Sequence, residues 1–406
     1  MAMAMELTKA YPQSKFAADN ALTNADVLQK YKIAADVVNV ILPELVSRVL
    51  VGTSVCDLCQ FGDDLINAQV AHLDSSKEKG IAMPTCVSVN NLVQYFSPLY
   101  DSDYILQAGD VVKIELGAHF DGYVATAAHT TVVPLSPTEP LQGRAADVIC
   151  ATYFAHEAAQ RMLRPGVKSS EITRVINEIA AYFRCKPVEG TFSSPMKRFV
   201  LRAGKDIENQ FPEGLTVQDL EKCDFEIEAN QVYQMNIVLT TGDGSVKVSE
   251  HKPHVYQRDV NKSYQLKVKA ARIAYNEINE KFTVFPFATR ALSTNQARLG
   301  LASVLSHNLI TSYIPTRSSK ASDIVAQYKS TVLVSADGVL RTTTPMKPPF
   351  VHSQYCVPAG TMAANILGAP SNITINETTE PLKADSVSFG SRRLLNEDTE
   401  MDADMA

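Results

Sequence analysis

At 406 residues, with 45% hydrophobic and 20% charged side chains, the chain holds ample material for a large core, in one big domain or two fused halves. Its net charge of −6 gives no global attraction to nucleic acid, so any such binding must come from local patches. Seven scattered cysteines, at 56, 59, 86, 150, 185, 223 and 356, argue against a disulfide framework and for a reducing cytosolic or nuclear compartment.

The start MAMAMELTKAYPQ has no basic segment followed by an apolar core, and no window approaches the ~20 apolar residues of a membrane span, so neither export nor anchoring is expected. Thr23 followed by Asp26 resembles a capping box. The apolar residues from Val27 to Val51 then predict one long helix, which Pro43 should kink or split near Leu42. A second helix is expected from about Ser54 toward His72. It carries Cys56 and Cys59, a CxxC with no second pair to close a zinc site, which reads as helix packing. Between 81 and 133, short runs rich in Val, Ile and Tyr, broken by Gly109 and by Asp121-Gly122, predict antiparallel hairpins.

Helical periodicity returns from Ala145 to Leu163. After the turn RPGVKSS, the spacing of Ile172, Val175, Ile176, Ile179, Ala180 and Phe183 gives a second helix with one apolar stripe. Strands are expected at 188–192 and from Gln231 to the Gly-Asp-Gly turn at 242–244. Helical segments follow from Tyr264 to Phe282 and from Thr294 to Leu309, and a closing hairpin over 329–344 turns at Asp337 and Gly338. After Pro370 the chain becomes polar and ends in NEDTEMDADMA, with five acids and no base; a disordered tail is expected from about residue 371. The Asn372 and Asn376 sequons read as chance matches in a chain that is not exported. The repeated order of helix, helix and strands suggests two similar halves around one curved sheet.

Function can be sought in the basic segment HKPHVYQRDVNKSYQLKVKAAR (251–272). It sets Lys252, Arg258, Lys262, Lys267, Lys269 and Arg272 against Asp259, with Tyr256 and Tyr264 interleaved. Basic side chains neutralise phosphates and aromatic rings stack on unpaired bases, a mixture that suits RNA; the competing reading is a helix with a solvated basic face.

Four separated segments, GIAMPTCVSVNN (80–91), LQAGDVVKIELGAHFDGYVATAAHT (106–130), QVYQMNIVLTTGDG (231–244) and AQYKSTVLV (326–334), occur in the order found in the creatinase and methionine aminopeptidase "pita-bread" superfamily, type 2 branch. They most closely resemble its non-peptidase subfamily of proliferation-associated proteins, whose relatives include growth-factor-receptor-binding proteins and a fungal curved-DNA-binding protein. The resemblance implies an α/β (α+β) pita-bread fold: a curved antiparallel sheet in pseudo-twofold halves with helices on the outer face. It places that domain at about 15–345, with a helical insertion at about 264–325. An N-terminal extension (1–14) and a C-terminal extension (346–406) would flank it.

Active members of the superfamily hold two divalent metals with two aspartates, a histidine and two glutamates, and use a further histidine near the substrate. Carried over one at a time, the first aspartate falls on Glu115, the second on Thr126, the metal histidine near Thr191, the next glutamate on Asn236, the bridging glutamate on Lys329 and the substrate histidine on Tyr95. A pair of divalent ions is answered in a working site by roughly four carboxylates, a neutral imidazole and a bridging hydroxide. Here the charges of Glu115 and Lys329 cancel, and an ammonium at the bridging position would repel both cations by several kcal/mol even at an effective dielectric of ~20. The expectation is that no metal or other cofactor is held, that the chain is not an enzyme, and that Lys329 pairs with Glu115 instead. His119 and His129 flank Thr126, but strand alternation need not bring both into one cleft, so they read as ordinary histidines.

On this resemblance Lys197, Arg198, Arg202 and Lys205 form a basic loop at the old cleft mouth, and Arg290, Arg298, Arg317 and Lys320 fall in the insertion. The family implies RNA and ribosome association near the peptide exit on the large subunit, cytoplasmic and nuclear distribution extending to the nucleolus, and roles in ribosome biogenesis, translation and growth control. It also implies binding of curved DNA or transcriptional corepression as the alternative, with active aminopeptidase chemistry a minor one and no membrane role. Animal relatives end in a lysine-rich tail where this chain ends acidic, so the internal patches would have to supply the affinity.

Overall fold

The computed structural model describes residues 13–136, 138–211, 214, 222–336, 338–344, 346–370, 373–376, 378 and 387–389. In chain order the helices are α1 (Gln13–Asp19), α2 (Ala25–Ser47), α3 (Val55–Ala71), α4 (Arg144–Met162), α5 (Ser169–Tyr182), α6 (Lys269–Lys281), α7 (Asn295–Ser306) and α8 (Met362–Gly368). The strands are β1 (Lys79–Val89), β2 (Leu92–Gln94), β3 (Val111–Phe120), β4 (Tyr123–Val132), β5 (Lys186–Pro187), β6 (Phe192–Met196), β7 (Ile207–Glu208) and β8 (Gln231–Thr240). They continue with β9 (Val246–Val248), β10 (Val255–Arg258), β11 (Phe287–Ala288), β12 (Ile310–Tyr313), β13 (Thr316–Ser318), β14 (Val325–Val334), β15 (Val339–Arg341) and β16 (Ile373–Ile375).

The Asp121-Gly122 pair makes the turn of the β3–β4 hairpin. Both residues adopt positive φ, 53° and 81°, which matches the twist of the strands they join. This hairpin continues into a sheet ordered β1-β3-β4-β14-β8-β6-β7, antiparallel along that path, with β15 added beside β14 and β5 beside β8. Alternation divides the two faces. Ile114, Leu116 and Ala118 of β3, with Ala125 and Ala127 of β4, lie in one apolar core with α2 and α3. Tyr233, Met235, Ile237 and Leu239 of β8, with Ala326, Val332 and Val334 of β14, lie in a second core with α4 and α5. Two helices over each half of one curved sheet give the pita-bread architecture expected from the sequence.

Ser54 caps α3, its Oγ accepting from the Asp57 amide at 3.0 Å, so that helix starts where expected. The cap of α2 is Asn24, not Thr23: the Asn24 side chain accepts from the Asp26 amide at 3.0 Å. Pro43 neither ends nor splits α2, which runs on to Ser47. Of the strand expected at 188–192, residues 188–191 are not strand, and Phe192 opens β6. Gly190 has φ 67°, and pairing resumes only with β6. Tyr264 precedes α6, which starts at Lys269, so the basic segment is mostly extended chain and loop.

Among the described residues no helix is long and apolar enough to cross a membrane. Within the stretch expected to be disordered from residue 371, Ile373–Ile375 instead pairs in parallel with β15, and the Phe389 ring lies 5.2 Å from that of Phe61. The acidic end, the turn residue Asp337 and Asn372 lie outside the described residues.

Candidate functional site: a polar row across the central strands

The register sets one row of side chains across the middle of the sheet. Cys86 of β1 stands opposite Glu115 of β3, Glu115 opposite Ala128 of β4, Ala128 opposite Lys329 of β14, and Lys329 opposite Asn236 of β8. Ala128 is the small residue between the two charges, which lets Lys329 Nζ reach across it and donate to Glu115 Oε1. Both side chains are buried, at 8% and 4% exposure, so the pair is shielded from solvent. Its survival there requires good geometry and further hydrogen bonds. Gln327, two residues before Lys329 and on the same face, supplies them: its Nε2 donates to Asn236 Oδ1 at 2.8 Å and to Glu115 Oε2 at 3.3 Å.

The other positions carried over from the resemblance surround this row. Thr126 is two residues from Ala128 on the same face of β4; its amide donates to Thr331 Oγ1 at 2.9 Å, while its own hydroxyl is buried with no partner among the described residues. Thr191 is linked to the row through Asn209, whose Nδ2 donates to Thr191 Oγ1 at 2.8 Å and to the Asn236 carbonyl at 3.0 Å. The Tyr95 ring packs edge-on against Tyr313 at 4.9 Å. Burial, with the Glu115 carboxylate adding to it, pushes the Tyr95 phenol and the Cys86 thiol well above their ordinary values, so both are neutral.

This donor set does not fit a pair of divalent cations. Its one carboxylate is engaged by an ammonium, Asn236 Oδ1 by Gln327, and the Thr191 hydroxyl by the Val188 carbonyl at 2.6 Å. Among the described residues no three His, Cys, Asp or Glu side chains converge to hold a metal ion. Nor do the flanking histidines rebuild one. His119 shares the Glu115 face and stacks on Phe285 at 4.2 Å, whereas His129 lies on the opposite face against Tyr328 at 5.3 Å. Burial holds both imidazoles down at about 4. The CxxC cysteines are buried in α3, and burial drives their thiols up to about 12 and about 11.

The chain belongs to metallopeptidase family M24. The family model matches residues 29–251. Within the family it groups with the proliferation-associated proteins. It is 40% identical to the ERBB-3 binding protein 1 of Solanum tuberosum over 80% of this chain and 82% of that one. It is 37% identical to proliferation-associated protein A of Dictyostelium discoideum over 83% and 87%. It is also 35% identical to the curved DNA-binding protein of Schizosaccharomyces pombe over 91% and 98%. Solved structures confirm the fold: a thermophilic Arx1 superposes with a TM-score of 0.77 at 24% identity, covering 86% of this chain and 99% of that one. A methionine aminopeptidase from Thermotoga maritima gives 0.53 at 16% identity, covering 79% and 98%.

The basic candidates of this M24 chain are only partly available for binding. Lys252, Lys262, Lys267, Lys269 and Arg272 are exposed. Tyr256 is buried, its hydroxyl donating to the Pro253 carbonyl at 2.7 Å, so it cannot stack on a base. Arg258 is half-buried over the Tyr275 ring. In the cleft-mouth loop, Arg198 ties α1 to the hairpin turn, donating to Asp121 Oδ1 at 2.7 Å and Asp19 Oδ2 at 3.2 Å. Arg202 pairs with Asp206 and lies 3.8 Å over the Phe192 ring, Lys197 is half-buried over Phe16, and Lys205 is exposed.

Arg290 is not a surface cation. Its side chain is only 6% exposed, donating to Asp63 Oδ2 and Ser97 Oγ at 2.5 Å each and to the Thr85 carbonyl at 3.1 Å, and so anchors the segment before α7 to α3. Arg317 pairs with Glu250 at 3.4 Å, Arg298 donates to the Leu292 carbonyl at 3.3 Å, and Lys320 is exposed. Sequence reasoning missed Gln327 and Tyr313. Alternation from Lys329 would have put Gln327 on the site face, while Tyr313 reaches Tyr95 from a distant strand and leaves no local signal.

Proposed function

We propose that this chain is a nonenzymatic member of the family that binds RNA and associates with the large ribosomal subunit, in ribosome biogenesis, translation or growth control. The observation that carries the nonenzymatic part is the buried Lys329–Glu115 pair in the row where the resemblance places metal ligands. An ammonium there offers no lone pair to a cation, and with no bound metal there is no activated water. Function then falls to the surface, where the exposed cations of 252–272 form the longest basic run the sequence offers. The relatives' names, proliferation-associated and ERBB-3 binding, fit a growth-linked binding role. On this reading the protein works in the cytoplasm and nucleus, including the nucleolus.

A second reading is favoured by the Schizosaccharomyces pombe relative named a curved DNA-binding protein, since it aligns over nearly its whole length. Both polyanions engage the same electrostatic footprint, and bent duplex would be read by shape. The test is co-sedimentation with salt-washed ribosomal subunits at about 50 and 200 mM salt, a range over which phosphate contacts weaken steeply. We expect saturable binding to the large subunit that is weakened by charge reversal at Lys267 and Lys269. Absence of binding at both salts, with retention of bent duplex DNA, would transfer the assignment to the second reading.

A further inference from the structure

Burial of Tyr256 leaves Tyr264 as the aromatic side chain of the basic segment open to solvent, at 46% exposure. Its ring is supported from behind: the His307 imidazole lies against one face, with centroids 4.0 Å apart and planes 31° apart. His307 is itself fixed as the C-cap of α7, its Nδ1 bonded to the Ser303 carbonyl at 2.7 Å. That bond requires the proton on Nδ1 and sets the orientation of the ring. The loop carrying Tyr264 is pinned ahead of the ring by the Asp259 amide, which donates to the Leu309 carbonyl at 2.9 Å, and again just beyond it. Leu266 is buried in the core formed by α6 and α7, and Arg272 Nη1 donates to the Lys267 carbonyl at 2.8 Å and the Leu266 carbonyl at 3.3 Å. Lys262, Lys267 and Lys269, on the same stretch, are exposed and held by no ion pair among the described residues.

We infer that Tyr264, backed by His307, is a preformed stacking platform for one unpaired nucleobase of RNA, with Lys262, Lys267 and Lys269 engaging the flanking phosphates. This rests on the nucleic-acid reading above and adds what it lacks, a preference for an unstacked base over a continuous duplex. A ring already immobilised loses little entropy when a base lands on it, and the stacking is sequence-tolerant because every base offers a π-face.

The full-length protein is titrated into a fluorescently labelled RNA hairpin carrying a single-nucleotide bulge, and into the same hairpin fully paired. We expect the bulged hairpin to bind more tightly, Tyr264→Ala to weaken it about tenfold while leaving the paired hairpin unchanged, and Tyr264→Phe to stay within about twofold of wild type. Equal loss on both hairpins, failure of Phe to rescue, or no change with Ala would each overturn the platform while leaving RNA binding intact. If wild type binds neither RNA at low salt, the nucleic-acid reading falls and the platform with it.

Discussion

At the scale of single residues, the site turns on whether two buried charges are each other's partners. Lys329→Met would leave the Glu115 carboxylate buried and uncompensated, and we expect a loss of about 3 kcal/mol in denaturant unfolding. The double variant Lys329→Met/Glu115→Gln should recover much of it, since a neutral amide costs far less to bury. Additive losses would mean that the two charges do not interact.

A pH effect follows from the buried imidazoles. Burial holds His119 and His129 at about 4 and His156 well below its ordinary value, whereas in the unfolded chain each takes its proton near about 6.5. Between about 6.5 and 4 the unfolded state therefore binds more protons, so stability falls as pH falls through that window. Thermal unfolding at about pH 7 and pH 5 should show this, with a shallower dependence in His119→Leu; an unchanged slope would place the acid sensitivity elsewhere. Glu115, Lys329 and Asn236 were legible in the sequence because a motif fixes their register. Arg290 and Tyr256 were misread because charge and aromaticity do not reveal burial, which here is decided by α3 and by the core around α6 and α7.

At the scale of elements, turn chemistry and periodicity carried most of the reading. Asp121-Gly122, the Ser54 cap and the stripe of α5 each act within a few residues, and each lies where expected. Residues 188–191 and the stretch before Lys269 failed because their β-branched and alternating residues serve loops fixed by distant partners, such as Asn209 on Thr191 and Arg272 on Lys267. Gly300 shows what pairs α6 with α7: a Cβ there would lie 2.2 Å from the Ala270 carbonyl oxygen, so the helices touch backbone to backbone. Gly300→Ala should force them apart at a cost of about 1–3 kcal/mol. Hydrogen exchange should quicken across α6 and α7 while α4 and α5 keep their protection. Uniform loss of protection would mean that this pair is not a separate cooperative unit.

At the scale of the whole molecule, two helix pairs over one sheet keep the framework of a metallopeptidase, while the row at its centre is held by an ion pair and amide hydrogen bonds. A metal site commonly contributes folding energy by drawing its ligands together, and the Lys329–Glu115–Gln327–Asn236 network can fill that role without an ion. The segment at Arg290 then locks the α6–α7 unit, with the lysine-bearing loop that leads into it, onto the first half of the fold. The most direct test is calorimetric titration of the chelator-stripped protein with manganese or cobalt. No saturable binding and an unchanged melting temperature are expected. Stoichiometric uptake that stabilises the fold and brings methionyl-peptide hydrolysis with it would contradict the ion-pair site and return the chain to the peptidases.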